Sequence, residues 1–205
     1  MPKTPMRSSP YAGLFKVDAT HHAPGTPGVT IEDMPDLGVI VLRGQVQEAG
    51  FQQRAEQALG LRLPTTPSSS FVSGNMRVLW ISPDEWWILC PAAKAQHQVL
   101  QLDKVMAGLF AQVIDNSAGL TCLRLTGGDH LTMLRHLCPY PIDSIAVDQC
   151  ISTVFPKANV TLVRLDSAST LLVARRSYAY WISQLLERSA RPYGLALPAK
   201  GGDQV

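Results

Sequence analysis

Few side chains in this sequence have the types and spacing that catalysis or metal binding requires. Asp84 and Glu85 are adjacent carboxylates that could transfer protons, but they follow Pro83 at a hairpin tip, where acidic residues commonly form turns and face water. His21 and His22 could bind a metal, yet their segment HHAPGTPG supplies no carboxylate or thiol to complete a site. We therefore assign this chain no catalytic residue, no cofactor-binding residue and no metal ligand.

The four cysteines, Cys90, Cys122, Cys138 and Cys150, could form two disulfides or a metal site. None belongs to a CxxC pair, and three lie in or beside apolar runs. The sequence favours small buried hydrophobic side chains in a reducing compartment.

The glycine pair in LTGGDHL (125–131) could present backbone N–H groups to an anion at a helix start. A tight strand-to-helix turn is the simpler interpretation. The sequence also contains no GxSxG, Walker A or HExxH pattern, and no GxGxxG follows its first predicted strand. Enzymes of these kinds are not supported.

Composition limits the classes of protein that remain. With 205 residues and 46% apolar content, the chain is long enough to bury one or two cores. A net charge of +2, spread along the chain, argues against nucleic acid as a partner. No apolar run reaches the roughly 18 residues that span a bilayer, and MPKTPMRSSPYAGLF lacks the apolar core of a signal peptide. We expect a soluble, cytoplasmic protein that does not bind membranes.

Residues 37–117 are predicted to form the first of two α+β halves. The segments GVIVLRG, FVSGNMRVLWIS, EWWILC and AQVIDNS read as strands, with a turn at Pro83 and Asp84. The segments QEAGFQQRAEQALG, which stops at Gly60, and AKAQHQVLQLDKVMAGLF read as helices. The order β-α-β-β-α-β is that of a ferredoxin-like unit.

Residues 118–192 are predicted to form the second half. GLTCLRLTG reads as a strand, GDHLTMLRHLC as a helix, and CISTVF, NVTLVRLD and TLLVAR as three strands. Ser177 is expected to cap the last helix. The apolar face expected for that helix consists of Tyr178, Trp181, Ile182, Leu185 and Leu186. The predicted fold is thus α+β, with two ferredoxin-like halves packed together.

The two ends of the chain are predicted to lie outside these halves. Residues 1–36 carry six prolines and little periodicity, so we expect an irregular N-terminal arm of the kind that often lies along a partner. Residues 193–205 are expected to form a C-terminal tail.

Trp80, Trp86 and Trp87 are candidate interface residues. The run from Trp86 to Cys90 is apolar without alternation, so both faces of its strand must be covered. The chain's own helices can cover one face, and either the second half or another subunit the other. We expect one of Trp86 and Trp87 to face the core and its neighbour to face the second covered surface. Tryptophan is common at interface hot spots.

Arg175 and Arg176 are the remaining candidates for a partner interface. They follow a predicted strand in the segment RRSY. Because consecutive side chains there project in different directions, at least one could pair with a carboxylate on another chain.

Three segments resemble the gamma subunit of heterotetrameric sarcosine oxidase. VLWISPDEWWIL (78–89) is similar to its Leu-Gly-Pro-Asp-Glu-Trp signature, although Ile81-Ser82 replaces Leu-Gly. VIDNSAGLTCLRLTGGDHLTMLRHLCPYPID (113–143) and ARRSYAYWISQLLERSA (174–190) resemble two further family motifs, with Arg175 in place of a proline. Together with ALGLRLPTTPSS, these segments span most of residues 38–190.

The resemblance implies an accessory role in a complex with alpha, beta and delta subunits. Such a complex oxidises sarcosine to glycine, releases hydrogen peroxide and transfers the methyl carbon to tetrahydrofolate, forming 5,10-methylenetetrahydrofolate. The family's FAD, FMN, NAD, tetrahydrofolate and zinc sites lie in the partner subunits, so none is expected here. The implied fold is that of the aminomethyltransferase folate-binding domain, and a folate-type binding module remains the alternative function, because fold does not fix function.

Overall fold

The computed structural model describes residues 9–15 and 26–197, which form two β-sheets and four α-helices. The strands are β1 (Val29–Asp33), β2 (Leu37–Gly44), β3 (Ser70–Ser73), β4 (Met76–Ser82), β5 (Glu85–Pro91), β6 (Ala111–Asp115), β7 (Leu120–Thr126), β8 (Cys150–Phe155), β9 (Ala158–Arg164), β10 (Ser169–Arg175) and β11 (Leu195–Ala196). The helices are α1 (Phe51–Leu59), α2 (Ala92–Met106), α3 (His130–Arg135) and α4 (Ala179–Ala190). No helix in this part of the chain is long and apolar enough to cross a bilayer.

The first sheet has the strand order β3-β4-β5-β2-β6. Without β3, this is the order of a ferredoxin-like unit, in which α1 and α2 cover one face. Helix α1 ends at Gly60, whose φ of 64° is a left-handed conformation that glycine adopts at little cost. The predicted β-α-β-β-α-β order of residues 37–117 is therefore present.

The strand predicted over FVSGNMRVLWIS is two strands. Ser73 pairs with Met76 across a two-residue turn, so β3 and β4 form a hairpin. Gly74, with φ of 56°, supplies the left-handed conformation of this turn. The prediction of one continuous strand is wrong because Gly74 acts as a turn residue there.

The second sheet has the order β11-β1-β7-β10-β9-β8. Its five strands from β8 to β1 repeat the arrangement of the first sheet, with β1 in the place of β6, antiparallel to the first strand of its unit. Strand β1 lies within residues 1–36, and β11 lies within residues 193–205 and pairs in parallel with β1. An irregular arm and tail are therefore wrong predictions at Val29–Asp33 and Leu195–Ala196, because long-range pairing of β1 with β7, and of β11 with β1, orders them.

The two sheets pack face to face, with α1 and α2 outside the first and α3 and α4 outside the second. The cluster between the sheets consists of Val39, Leu79, Leu89, Leu120, Cys122, Cys150, Val163, Leu171 and Val173. Backbone hydrogen bonds join the sheets at one edge, from Ser70 N to Asp148 O (2.8 Å) and from Cys150 N to Ser68 O (2.9 Å). Arg77 reinforces this edge by donating to Asp148 Oδ1 at 2.6 Å and to Ser70 Oγ at 2.9 Å.

Part of the predicted arm packs on the chain itself. Tyr11 is 3% exposed in the core between the second sheet and its helices, and its ring stacks on Phe15 with centroids 5.7 Å apart. The rest of the arm up to residue 25, including His21 and His22, and the tail beyond residue 197 lie outside the described residues.

Candidate partner-binding surface

Trp86 lies in the core of the first unit. It is 1% exposed, its ring is 5.6 Å from that of Phe51 on α1, and its Nε1–H donates to Pro64 O at 2.8 Å. The strand places it there because β5 alternates between the helix-facing and sheet-facing sides. Because Trp86 is buried within this chain, its side chain has no surface that a partner could contact. The structure therefore does not support Trp86 as an interface residue.

Trp87 faces the other side of β5, as the alternation of strand residues requires. It is half-buried, packs against the cluster between the sheets, and donates from Nε1 to Glu85 Oε1 at 2.7 Å. The chain's own second sheet therefore covers the other face of the apolar run from Trp86 to Cys90. Trp80 lies opposite Trp86 on β4 and is also half-buried. An interface role for Trp80 and Trp87 stays a prediction.

Arg175 and Arg176 lie at the junction between β10 and α4. Arg175 is the exposed last residue of the strand, and Arg176 is half-buried in the 3-10 turn Arg176–Tyr178, where its N–H donates to Gly119 O at 2.9 Å. Ser177 lies within the same turn and makes no capping hydrogen bond to α4, so its predicted role as N-cap is wrong. Partner binding by the two arginines stays a prediction.

The Asp84–Glu85 pair has a structural role at the β4–β5 hairpin. Ser82 Oγ donates to Asp84 Oδ1 at 2.6 Å and Arg43 to Asp84 Oδ2 at 2.8 Å, and these contacts lower the pKa of Asp84. Glu85 lies 3.5 Å from Arg43 and accepts from Trp87. The carboxylates pin the hairpin to β2, which agrees with turn formation.

The Gly127–Gly128 pair forms a tight turn onto α3. Gly127 has φ of 100°, and a Cβ at this position would lie 2.3 Å from Gly28 O. His130 fixes the turn, since its Nδ1 lies 2.7 Å from Gly127 O and its Nε2 lies 3.3 Å from both Thr170 Oγ1 and Arg164 Nη1. Burial is the largest cause that lowers the pKa of His130, so the neutral ring is favoured.

All four cysteines are buried and none forms a disulfide, as expected from the sequence. Burial raises the pKa of Cys122 to about 12 and that of Cys150 to about 11. The thiolate is the reactive form of cysteine, so both are protonated and unreactive at neutral pH. Across residues 9–15 and 26–197, no three His, Cys, Asp or Glu side chains lie close enough to hold a metal ion.

The sequence missed an aromatic surface at the start of α4. Tyr178, Tyr180 and Trp181 are 36%, 64% and 37% exposed. The prediction that Tyr178 and Trp181 face the core is wrong: the fully buried residues of this helix are Ala179, Ile182, Ser183, Leu186 and Ala190. A 3.6-residue period predicts where the apolar stripe of a helix lies, but it does not predict how wide the buried stripe is. The available signal in the sequence was the clustering of aromatic residues at the start of α4, which are too widely spread around the helix to fit one stripe.

The tandem ferredoxin-like units place the chain in the aminomethyltransferase-like class of folds. The structure of glycine cleavage system aminomethyltransferase T from Bartonella henselae superposes with a TM-score of 0.62 at 14% identity, over 83% of this chain and 48% of that one. A chain of the heterotetrameric sarcosine oxidase from Corynebacterium sp. U-96, in complex with pyrrole 2-carboxylate, superposes with a TM-score of 0.82 at 24% identity, over 94% and 99% of the two chains.

Sequence comparison then identifies the family. The model of the sarcosine oxidase, gamma subunit family matches residues 43–191, so the chain belongs to that family. Sarcosine oxidase subunit gamma from Corynebacterium sp. (strain P-1) is 26% identical over 196 residues, which cover 91% of this chain and 93% of the relative. The protein of the same name from Corynebacterium sp. (strain U-96) is 27% identical over 183 residues, 85% of each chain.

Proposed function

We propose that this chain is the accessory gamma subunit of a heterotetrameric sarcosine oxidase, with a structural or assembly role and no redox centre of its own. The observation that carries the proposal is the family match over residues 43–191. It is supported by relatives named as gamma subunits that align over most of their own length.

The packing of the fold also supports an accessory role. The face between the sheets is occupied by apolar side chains, and the helices cover both outer faces. The polar groups singled out in the sequence serve the hairpin at Asp84 and the turn at Gly127. A chain built in this way contributes to a complex through its outer surface.

In the proposed complex, the partners are the alpha, beta and delta subunits. FAD, FMN, NAD, tetrahydrofolate and zinc are assigned to those partners. The complex as a whole demethylates sarcosine to glycine, releases hydrogen peroxide and forms 5,10-methylenetetrahydrofolate.

Co-expression tests this role. The alpha, beta and delta subunits from the same organism are produced with and without this chain, and the yield of the assembled particle and its sarcosine-dependent peroxide release are measured. We expect the chain to co-purify with the others, and its omission to lower the amount of assembled particle. If the three subunits exclude the chain and assemble equally well without it, the proposal is wrong.

Calorimetric titration of the isolated chain with tetrahydrofolate tests the alternative, a folate-type binding module. The fold match to an aminomethyltransferase is the observation that favours this module. We expect no saturable heat, because the fold match is one of architecture and not of site residues. Saturable binding to the chain alone would favour the folate module.

A further inference from the structure

A groove lies along α4, and its lining includes Trp181 and Leu185, two of the residues predicted to face the core. Its volume is about 140 Å³, and it is lined by Trp181, Gln184, Leu185, Glu187, Arg188 and Arg191. Ligand pockets usually enclose about 300–1,000 Å³. The groove is therefore too small for a folate-sized molecule and suits one side chain of a bound segment.

Trp181 forms a wall of the groove and is held in place. Its Nε1–H donates to Pro156 O in the β8–β9 turn, and Lys157 Nζ lies 5.5 Å from the ring centroid, within the range of a cation–π interaction. The ring nevertheless remains 37% exposed. An aromatic ring fixed at the surface loses little conformational entropy on binding, which is typical of interface hot spots.

The charges around the groove are mainly positive. Lys157, Arg188 and Arg191 are exposed cations, against the single acid Glu187, which already interacts within the fold. Within the described residues, neither Arg188 nor Arg191 takes part in a salt bridge. Two unpaired guanidinium groups beside an apolar wall are complementary to carboxylates.

We propose that this groove is the docking site for an acidic segment of a partner subunit, in which an apolar side chain enters beside Trp181 and flanking Asp or Glu residues pair with Arg188 and Arg191. This inference rests on the proposed function, because it requires that the chain assemble with other subunits. A second copy of this chain is a poor occupant, since a symmetric contact would bring the same cations together.

Charge reversal tests the electrostatic part of the proposal. The double variant Arg188→Glu/Arg191→Glu is compared with Lys94→Glu/Lys104→Glu, which reverses two exposed charges on α2 of the first unit. The affinity of each for the combined alpha, beta and delta subunits is measured by biolayer interferometry. We expect the α4 variant to raise Kd about tenfold or more at low salt, with a smaller difference at high salt, and the α2 variant to match wild type.

Trp181→Ala tests the apolar part, with Leu100→Ala as the control at a 62% exposed position on α2. We expect about a tenfold loss of affinity for Trp181→Ala alone. Thermal unfolding of each variant shows whether the fold persists. If Trp181→Ala unfolds, the charge-reversal variant still tests the proposal, because Arg188 and Arg191 are exposed and their replacement leaves the core unchanged.

Photo-crosslinking identifies the occupant. Benzoylphenylalanine is placed at Tyr180, 64% exposed, and as a control at Leu100, 62% exposed. We expect a crosslink from Tyr180 to an Asp- or Glu-rich segment of another subunit.

A crosslink to a second copy or to a segment without acids would overturn the proposal, as would wild-type affinity of both α4 variants. In those cases the accessory role would stand, provided that the wild-type chain binds the other subunits. If the wild-type chain does not bind them at all, the proposed function itself fails.

Discussion

Replacing Trp86 with phenylalanine tests whether this residue serves the fold or a partner. The variant keeps an aromatic ring against Phe51 but leaves Pro64 O without its donor inside the core. Leaving a buried polar group unpaired costs about 1–3 kcal/mol, and Trp86→Ala, which also removes the ring, should cost about 3–5 kcal/mol. Trp87→Phe is the matched control: its indole is half-buried and its acceptor Glu85 can turn to water, so we expect a loss within about 1 kcal/mol.

Urea unfolding of the isolated chain, followed by circular dichroism, measures these differences. We expect the urea concentration at the unfolding midpoint to decrease in the order wild type, Trp87→Phe, Trp86→Phe and Trp86→Ala. The slope of the unfolding free energy against urea concentration should be the same for all four. An unchanged midpoint for Trp86→Phe, together with weaker assembly with the other subunits, would refute the reasoning and return Trp86 to the interface.

Three further predictions concern single contacts of the fold: one joins the two units, and the other two lie within the second unit. Arg77→Ala should destabilise the chain by about 1–3 kcal/mol in urea unfolding, because Arg77 is the donor to Asp148 at the joined sheet edges. If Arg77→Ala unfolds like wild type, this contact does not stabilise the joined edges. The pKa of His130 is lower in the folded chain than in the unfolded chain, so the unfolded chain takes up a proton first and stability should fall as pH drops below about 6.5. The stability of His130→Gln should decline less steeply over the same pH range. Parallel pH profiles of stability for wild type and variant would contradict this. Gly127→Ala should cost more than about 2 kcal/mol in thermal unfolding, since its Cβ would clash with Gly28 O at a φ that alanine rarely adopts; a neutral effect would show that the turn can relax.

Local sequence signals were sufficient for most of the fold. The helix stop at Gly60, the turn after Ser82 and the three strands from Cys150 to Arg175 follow from short-range periodicity and turn residues. The ferredoxin-like order of the first half could therefore be predicted, as could the second half without β1 and the opposite orientation of Trp86 and Trp87.

The missed features depend on contacts between distant parts of the chain. Strand β1 is short and becomes a strand by pairing with β7, about ninety residues away in sequence; its alternating buried residues Val29 and Ile31 were the available signal. The exposure of Trp181 depends on how much of α4 the second sheet can cover, and on the β8–β9 turn that holds the ring at the surface. Helical periodicity in the sequence carries no information about either of these contacts.

Native mass spectrometry of the four co-expressed subunits tests the central claim most directly. We predict one particle that contains a single copy of this 22.3 kDa chain with the alpha, beta and delta subunits, and that loses this chain first when Arg188 and Arg191 are reversed to glutamate. A chain that stays monomeric beside a complete and active complex of the other three subunits would contradict it.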